Sequence, residues 1–260
     1  MPLTLPEPVT DQLGKSPLKL VVCQIRFEEK PAIAEPDAGL SIFESLGGAN
    51  GPYPNFSEFR GEQVDITVSP GSSIAAQKTQ LAGWRLASED QNWSVILLPT
   101  SVALETKAYA SWTNDFEARL RSIIGALVEQ VRPQIQMRLG LRYIDLISRP
   151  EIASPRDWHE WIEEWLLGPM MNPEIGAAIL SAQQQVEIDA DNGTRCTLRH
   201  GTVLDAANSK PAYLLDWDIH VDAPRAFDQE SILGSLFAFN RLALRLFQLA
   251  ITPKMLDELR

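Results

Sequence analysis

The chain has 260 residues, of which 45% are hydrophobic and 22% are charged, and these proportions are ordinary for a globular protein with a sizeable core. Its formal net charge of −11 at pH 7 argues against a nucleic-acid partner, because binding to phosphates requires a basic surface. The sequence has no apolar run of the roughly 20 residues that span a bilayer and no signal peptide, so we expect a cytoplasmic protein without a membrane partner.

The first half of the chain predicts strands followed by a long helix. Leu18–Phe27 is apolar and β-branched, which indicates a strand, and residues 37–46 predict a short helix that is capped by Asp37 and ends at a glycine pair. Further strands are predicted over residues 63–68, 83–88, 93–98 and 102–109. Apolar residues at three- and four-residue intervals over 112–131 then indicate an amphipathic helix, capped by Ser111 or Thr113.

The second half of the chain repeats this order of elements. A long strand is predicted over residues 135–147, and a helix over 154–167 begins with Ser154-Pro155. Strands over 183–189 and 195–203 flank Asn192-Gly193, which is a strong signal for a hairpin turn. The remaining predicted elements are a strand over 213–221, a long helix that Asp228 caps and that runs to about Leu249, and a short helix from Thr252-Pro253.

The doubled order predicts an α+β fold of one domain, residues 1–260, with two similar halves at 17–132 and 133–260. Each half reads strand, helix, meander, helix, and two such halves most economically share one antiparallel sheet with helices packed on one face. The order is similar to the TATA-binding-protein-like class of folds, an analogy of fold that implies no DNA binding. The halves share no residue-level identity, so a duplication is a hypothesis about the order of elements alone.

Strand parity predicts a charged face on this sheet. Neighbouring side chains of a strand point to opposite faces, and in residues 135–147 the apolar parity begins with Ile135 and Met137. The opposite parity of the central strands carries the predicted ligand- or partner-binding residues Arg26, Arg138, Arg142, Asp216 and Asp218. One interpretation is a solvated face with cross-strand ion pairs, each worth well under ~1 kcal/mol. The other is a surface that binds a partner or an anion, since planar guanidinium groups suit carboxylate or phosphate.

The sequence shows no recognisable catalytic or metal site, and it implies no cofactor. It has no GxSxG motif, and none of its three histidines has the close spacing to another histidine or to cysteine that metal sites show. Cys23 and Cys196 both lie in apolar runs, which favours buried thiols. Asp216 and Asp218 share a face, so a metal site or a general acid and base remains an alternative there, and enzyme activity stays an open question.

Four stretches of the sequence carry a further signature. They are residues 17–27 (PLKLVVCQIRF), 138–144 (RLGLRYI), 214–218 (LLDWD), and Phe247 with Ile251-Thr252. In this order they resemble a sporadically distributed bacterial family of uncharacterised proteins of about this length. The family pattern usually has Asn after the central Tyr-Ile, where this chain has Asp145. The resemblance implies no established activity, and the scattered occurrence of the family implies genes of mobile elements or defence systems.

Three hypotheses about function follow. The first is a non-enzymatic binding protein that acts through protein–protein contact with an operon neighbour or a second copy, as an accessory component of an antiphage defence or toxin–antitoxin-like system. The second is a binder of small anionic ligands through the arginines of the charged face. The third is an atypical metal-dependent hydrolase that uses Asp216 and Asp218. The missing catalytic motif, the acidic charge and the family resemblance favour the first.

Overall fold

The computed structural model describes residues 3–9, 13–69, 72–149, 151–207 and 209–260, and it describes the side chains of these ranges outside residues 61–81. Within these residues the chain forms a ten-stranded antiparallel sheet with five α-helices. This composition confirms the predicted α+β class.

The elements follow one another in the predicted order of strands and helices. The strands are β1 (Leu18–Phe27), β2 (Asn55–Ser69), β3 (Ser72–Ala87), β4 (Trp93–Leu98), β5 (Ser101–Thr106), β6 (Ile135–Ser148), β7 (Gln183–Asp189), β8 (Thr194–Leu204), β9 (Pro211–Val221) and β10 (Arg225–Ala226). The α-helices are α1 (Pro36–Ser45), α2 (Glu117–Gln130), α3 (Glu164–Leu167), α4 (Gln229–Ala250) and α5 (Pro253–Leu259). A π-helical turn over Trp112–Phe116 leads into α2, and Ser111 caps it by accepting a hydrogen bond from the Asn114 amide, as predicted.

The sheet is built outward from two central strands. β1 and β6 lie side by side, and each is the first strand of its half of the chain. From β1 the order continues through β5, β4 and β3 to β2, and from β6 it continues through β9 and β8 to β7, while the short β10 also pairs with β6. The strands of the two halves therefore extend one sheet in opposite directions from the β1–β6 pair.

One face of the sheet is covered by helices. On β1 the residues Val21, Cys23 and Ile25 are fully buried, and across the strand pair they meet buried residues of β6 such as Leu141. α4 packs on β6 and β9, α1 packs on β3, and α2 contacts both of these helices. The hydrophobic core thus forms a layer between the sheet and α1, α2 and α4.

α4 is long, and its start is fixed by the predicted cap. The Asp228 carboxylate accepts a hydrogen bond from the Ser231 amide at 2.8 Å. Among the described residues, α4 is the one helix long and apolar enough to cross a membrane, with 22 residues and a mean hydropathy of 1.2. Its side chains Ile232, Leu236 and Leu246 are buried against the rest of the fold.

The prediction of one continuous helix over residues 154–167 is wrong in the middle of this range. The chain forms a short 3₁₀ helix and then α3, and between them Ile162 makes an antiparallel bridge with Ile251. The Glu163 amide donates to the Ala250 carbonyl at 2.9 Å, so it is not available to a helical hydrogen-bond ladder. Pairing with the chain that leaves α4 therefore interrupts this helix.

The predicted parity of β6 is wrong at its beginning. Ile135 and Met137 are each 42% exposed, whereas Gln136 is buried. The register of β6 against β1 shifts where Phe27 lies opposite Gln136, and this irregularity reverses the faces for the first residues of β6.

Two further boundaries differ from the prediction. α1 begins at Pro36 after Glu35, and Asp37 lies in the first turn, where its charge still interacts favourably with the helix dipole. The strands predicted over 63–68 and 83–88 are parts of the much longer β2 and β3, which pair with each other from end to end.

Candidate functional site

All five charged residues predicted as a site lie on the sheet face opposite the helices, which we call the open face. Register places Arg26 opposite Arg138 on the β1–β6 pair, and it places Arg142 opposite Asp218 on the β6–β9 pair. Asp216 lies two residues before Asp218 on the same strand and shares its face. The structure therefore brings the predicted residues together on three neighbouring strands.

Asp216 is the centre of the strongest ion pair on the open face. Arg142 donates two parallel hydrogen bonds, from Nε to Oδ1 and from Nη2 to Oδ2 of Asp216, each at 2.7 Å. Arg199 of β8 approaches the same carboxylate from the other side, with its Nη1 at 3.5 Å from Oδ2. The hydrogen bonds to Asp216 raise the pKa of Arg142 above its ordinary value. This two-pronged pairing occupies the guanidinium edge that an external anion would use.

Arg138 pairs with two different carboxylates, one on β9 and one just after it. Its Nη2 lies 3.3 Å from Asp218 Oδ2, and its Nε lies 2.9 Å from Asp222 Oδ1. The His220 ring also contacts this pair, with Nε2 at 3.3 Å from Asp222 Oδ2. Arg26 is exposed and forms no ion pair with any residue in the described ranges. Of the three predicted arginines, Arg26 alone offers an unpaired guanidinium there.

The acidic and histidine side chains of the described residues do not meet the requirements of a metal site. Within the part of the chain that the structure describes, no group of three His, Cys, Asp or Glu side chains could hold a metal ion. The carboxylates of Asp216 and Asp218 each form an ion pair with an arginine. His200 lies in the core, with Nδ1 at 2.9 Å from the Tyr213 hydroxyl, and burial lowers its pKa.

An apolar band lies beside these ion pairs on the open face. Cross-strand register pairs Leu20 with Ile144 and Leu146 with Leu214, and Val22 lies on the same face of β1. All five side chains are half-buried, whereas the alternate residues on the helix-covered face are buried. The open face therefore combines an apolar band with two sets of ion pairs around Asp216 and Asp218 and with Arg26, which is unpaired within the described ranges.

A second candidate site lies on the helix-covered side and was not predicted from the sequence. It is a cavity of about 460 Å³ between residues 13–18, the loop before α2, the strands β6 and β9, and α4. Its aromatic wall comprises Tyr109, Trp112, Tyr143, Trp217 and Phe247. Ser16, Ala110 and Asn114 line it as well and are exposed, so the cavity opens to the surface beside them.

Two residues of the cavity wall carry a polar group without a hydrogen-bond partner among the described residues. The Asp145 side chain is 5% exposed, and none of the described residues donates a hydrogen bond to its carboxylate. Burial raises its pKa from 3.8 to about 8. The Trp217 side chain is fully buried, and its Nε1–H has no hydrogen-bond acceptor among the described residues.

The tyrosines of the cavity are held by one side chain of α4. The hydroxyls of Tyr143 and Tyr109 both donate to Asn240 Oδ1, at 2.7 and 3.2 Å respectively. Their rings meet edge to face, with centroids 5.8 Å apart. Burial raises the pKa of both hydroxyls, which therefore stay neutral around neutral pH.

The sequence contains one signal for this cavity, which is the strand parity of Asp145. Asp145 has the same strand parity as Tyr143 and Ile147, so it is a carboxylic acid on the apolar parity of β6. The family pattern that this chain resembles also differs at that position, where it usually has Asn. Tyr109, Trp217 and Asn240 could not be assigned to the site from the sequence, because each lies on a separate element and they meet only in the folded chain.

Comparison with known proteins adds no functional assignment. No family model matches this chain, and the search of curated proteins found no match. The resemblance to a sporadically distributed bacterial family therefore stays a prediction from the sequence.

Proposed function

We propose that this chain is a non-enzymatic, cytoplasmic bacterial binding protein that acts through protein–protein contact made by the open face of its sheet. The observation that carries the proposal is the half-buried apolar band of Leu20, Val22, Ile144, Leu146 and Leu214 beside the paired charges. An apolar centre flanked by polar and arginine side chains is the composition of protein interfaces. The family resemblance supports a role as accessory component of an antiphage defence or toxin–antitoxin-like system.

The pairing of charges favours a protein partner over a small anion. An anion that used Arg138 or Arg142 would have to displace the carboxylates of Asp218 or Asp216. A protein surface can instead cover the pairs without breaking them, and it can also bury the adjoining apolar band. We expect a partner chain that presents an apolar patch with side chains of both charge signs around it, and we commit to a different protein rather than to a second copy.

Substitution of Leu146 by aspartate tests the open face directly. The tagged protein is used to isolate partners from extracts of its native host, and the recovered chain is then purified and its affinity is measured by calorimetry. Because a buried, unpaired charge in an interface is costly, we expect L146D to weaken that affinity at least about tenfold. V128D is the matched control, since Val128 is an apolar residue of α2 that is 44% exposed and lies away from the sheet face.

Three outcomes would contradict the proposal. One is the recovery of no stoichiometric partner, and another is equal loss of affinity in L146D and V128D. The third is a dimeric mass in light scattering that L146D makes monomeric, which would assign the open face to a second copy of the chain. Circular dichroism of both variants establishes that they are folded before affinities are compared.

A further inference from the structure

The cavity beside α4 is not used by the proposed protein contact, because it lies on the other side of the sheet. Its volume of about 460 Å³ is within the range of roughly 300 to 1,000 Å³ that is typical of small-molecule sites. Its wall includes the buried carboxyl group of Asp145, to which none of the described residues donates a hydrogen bond. Polar groups in protein interiors are nearly always paired, so an unpaired carboxyl group in the wall of a cavity indicates a ligand.

The surroundings of Asp145 favour a ligand of positive charge. In the described residues the cavity wall has no lysine, arginine or histidine that could neutralise the carboxylate. Both tyrosine hydroxyls donate to Asn240, so their oxygen atoms can accept hydrogen bonds from a ligand. Aromatic faces attract cations through their quadrupole, and this wall carries rings from β6, β9, α4 and the loop before α2.

We propose that this cavity binds a small organic cation, a protonated amine whose ammonium group pairs with the Asp145 carboxylate between the aromatic rings. The net charge of −11 raises the local concentration of cations around the whole protein and supports their entry. A buried carboxylate with aromatic neighbours is a chemically selective site, since a neutral or anionic analogue of the same shape leaves it unpaired.

Binding of an ammonium ion exchanges a proton. In the free protein Asp145 holds a proton below about pH 8, and that proton leaves to solvent when the ligand cation takes its place. The other titratable groups near the cavity are Tyr109 on the loop, Tyr143 on β6 and Cys23 on β1 behind Tyr143, and burial keeps all three neutral in this range. α4 and β9 contribute the uncharged Asn240 and Trp217. Affinity should therefore rise with pH until Asp145 is ionised in the free protein.

The test is calorimetry of the full chain with matched probes. Phenethylamine, the neutral phenethyl alcohol and the anionic phenylacetate have similar shapes, and butylamine, tryptamine and choline extend the range of cations. We expect at least one cation to bind at pH 8, with its affinity at least about tenfold above those of the neutral and anionic analogues. Between pH 8 and pH 6 that affinity should fall about fiftyfold, because the ionised fraction of Asp145 falls by that factor.

Asp145→Asn is the decisive variant, because it keeps the shape of the side chain and removes the charge. We expect it to lose at least about tenfold in affinity for the cation and to remain folded by circular dichroism. Glu164→Gln is the matched control, since Glu164 is an exposed acid of α3 outside the cavity and its substitution likewise replaces a carboxyl group by an amide.

Binding of the neutral and charged probes with equal affinity would overturn the proposal. So would a D145N protein that binds the cation as wild type does, or a panel in which no cation binds. An affinity that rises as the pH falls would indicate instead that the protonated carboxyl donates to a neutral ligand. These results do not depend on the open face, so they are separate from the test of protein–protein contact.

Discussion

At the residue scale, Asp145 is an unusual position, because it is a buried carboxylic acid on an otherwise apolar strand face. The residue is on the helix-covered face of β6, and its carboxyl group has no donor among the described residues. Strand parity predicted which side chains of the central strands share a face, and the five charged residues of the open face follow that rule. Parity could not predict which ion pairs these residues form. The two hydrogen bonds from Arg142 to Asp216 depend on how far the arginine side chain reaches towards the neighbouring strand.

Replacing Asp145 by asparagine should stabilise the protein at high pH. The pKa of Asp145 is about 8 in the folded chain against an ordinary 3.8, so its contribution to stability is fully present below pH 3.8 and is lost as pH rises through about 8. Because each pKa unit corresponds to about 1.4 kcal/mol, the upper bound of this loss is about 6 kcal/mol. We expect D145N to equal wild type near pH 4 and to be several kcal/mol more stable at pH 8, measured by urea denaturation.

The E164Q variant separates this effect from the general pH dependence of carboxylates. It should follow the wild-type stability curve within about 0.5 kcal/mol at every pH, as exposed substitutions usually do. A D145N curve that runs parallel to that of wild type between pH 4 and pH 8 would show that Asp145 is ionised in the folded state, and the high-pH stabilisation would then be absent.

Glu28 is the opposite case, a carboxylate that the fold stabilises in its charged form. Partial burial alone would raise its pKa, but the Lys30 ammonium at 2.8 Å and the amides of Gln134 and Ile135, at 2.8 and 2.9 Å, lower it to about 2. Its contribution to stability is therefore present above pH 4.5 and is lost as pH falls through about 2. We expect E28Q to cost about 1 kcal/mol at pH 7, since hydrogen bonds to a half-exposed charge are screened by water.

Urea denaturation of E28Q and E29Q at pH 7 and pH 3 checks this prediction. Glu29 is the exposed neighbour, and we expect its substitution to leave the free energy of unfolding unchanged. The difference between wild type and E28Q should narrow at pH 3. An E28Q protein as stable as wild type at pH 7 would show that Glu28 does not hold the start of β6 to β1.

At the element scale, the predictable segments are those whose local signals agree with their tertiary contacts. β1 and β4 have the predicted bounds, and the Asn192-Gly193 turn joins β7 to β8 with Gly193 at a φ of +77°. The prediction of one helix over residues 154–167 is wrong because the chain at the end of α4, which is distant in sequence, pairs with amide groups of this segment. The full length of β2 and β3 was missed because the pattern of residues 69–82 is rich in Ser, Ala, Gln and Thr and shows little hydrophobic alternation.

The Asp228 cap should contribute measurably to the stability of α4. Its carboxylate accepts from the Ser231 amide at 2.8 Å, which satisfies one of the free amides in the first turn of the helix. We expect D228A to lower the free energy of unfolding by about 1 kcal/mol, and D228N to lower it by much less, because Asn is also a good cap. Chemical denaturation of the two variants measures the difference. Equal losses would mean that the charge of Asp228, rather than its hydrogen bond, favours the helix start.

At the scale of the whole molecule, the sheet order explains why the doubled sequence pattern gives one hydrophobic layer. β1 and β6 pair over most of their length, from Val21 opposite Tyr143 to Arg26 opposite Arg138. α2 and α4, which come from different halves, contact each other above the sheet. A shared sheet could be predicted from the sequence, because it is the simplest arrangement of two similar halves. The cavity depends on residues from both halves, so it could not be predicted before the strand order was known.

Separation of the halves tests whether residues 1–260 form the single domain predicted from the sequence. Cutting the chain between residues 132 and 133 would leave the central strands β1 and β6 as unpaired edges and would expose their buried residues, such as Leu141. We expect the intact chain to unfold in one transition, with coincident curves from circular dichroism and tryptophan fluorescence. Fragments 17–132 and 133–260 should each lack cooperative unfolding alone and regain it when they are refolded together. A fragment that unfolds cooperatively by itself near the wild-type temperature would establish two domains instead, because its core would then be complete without the β1–β6 pair.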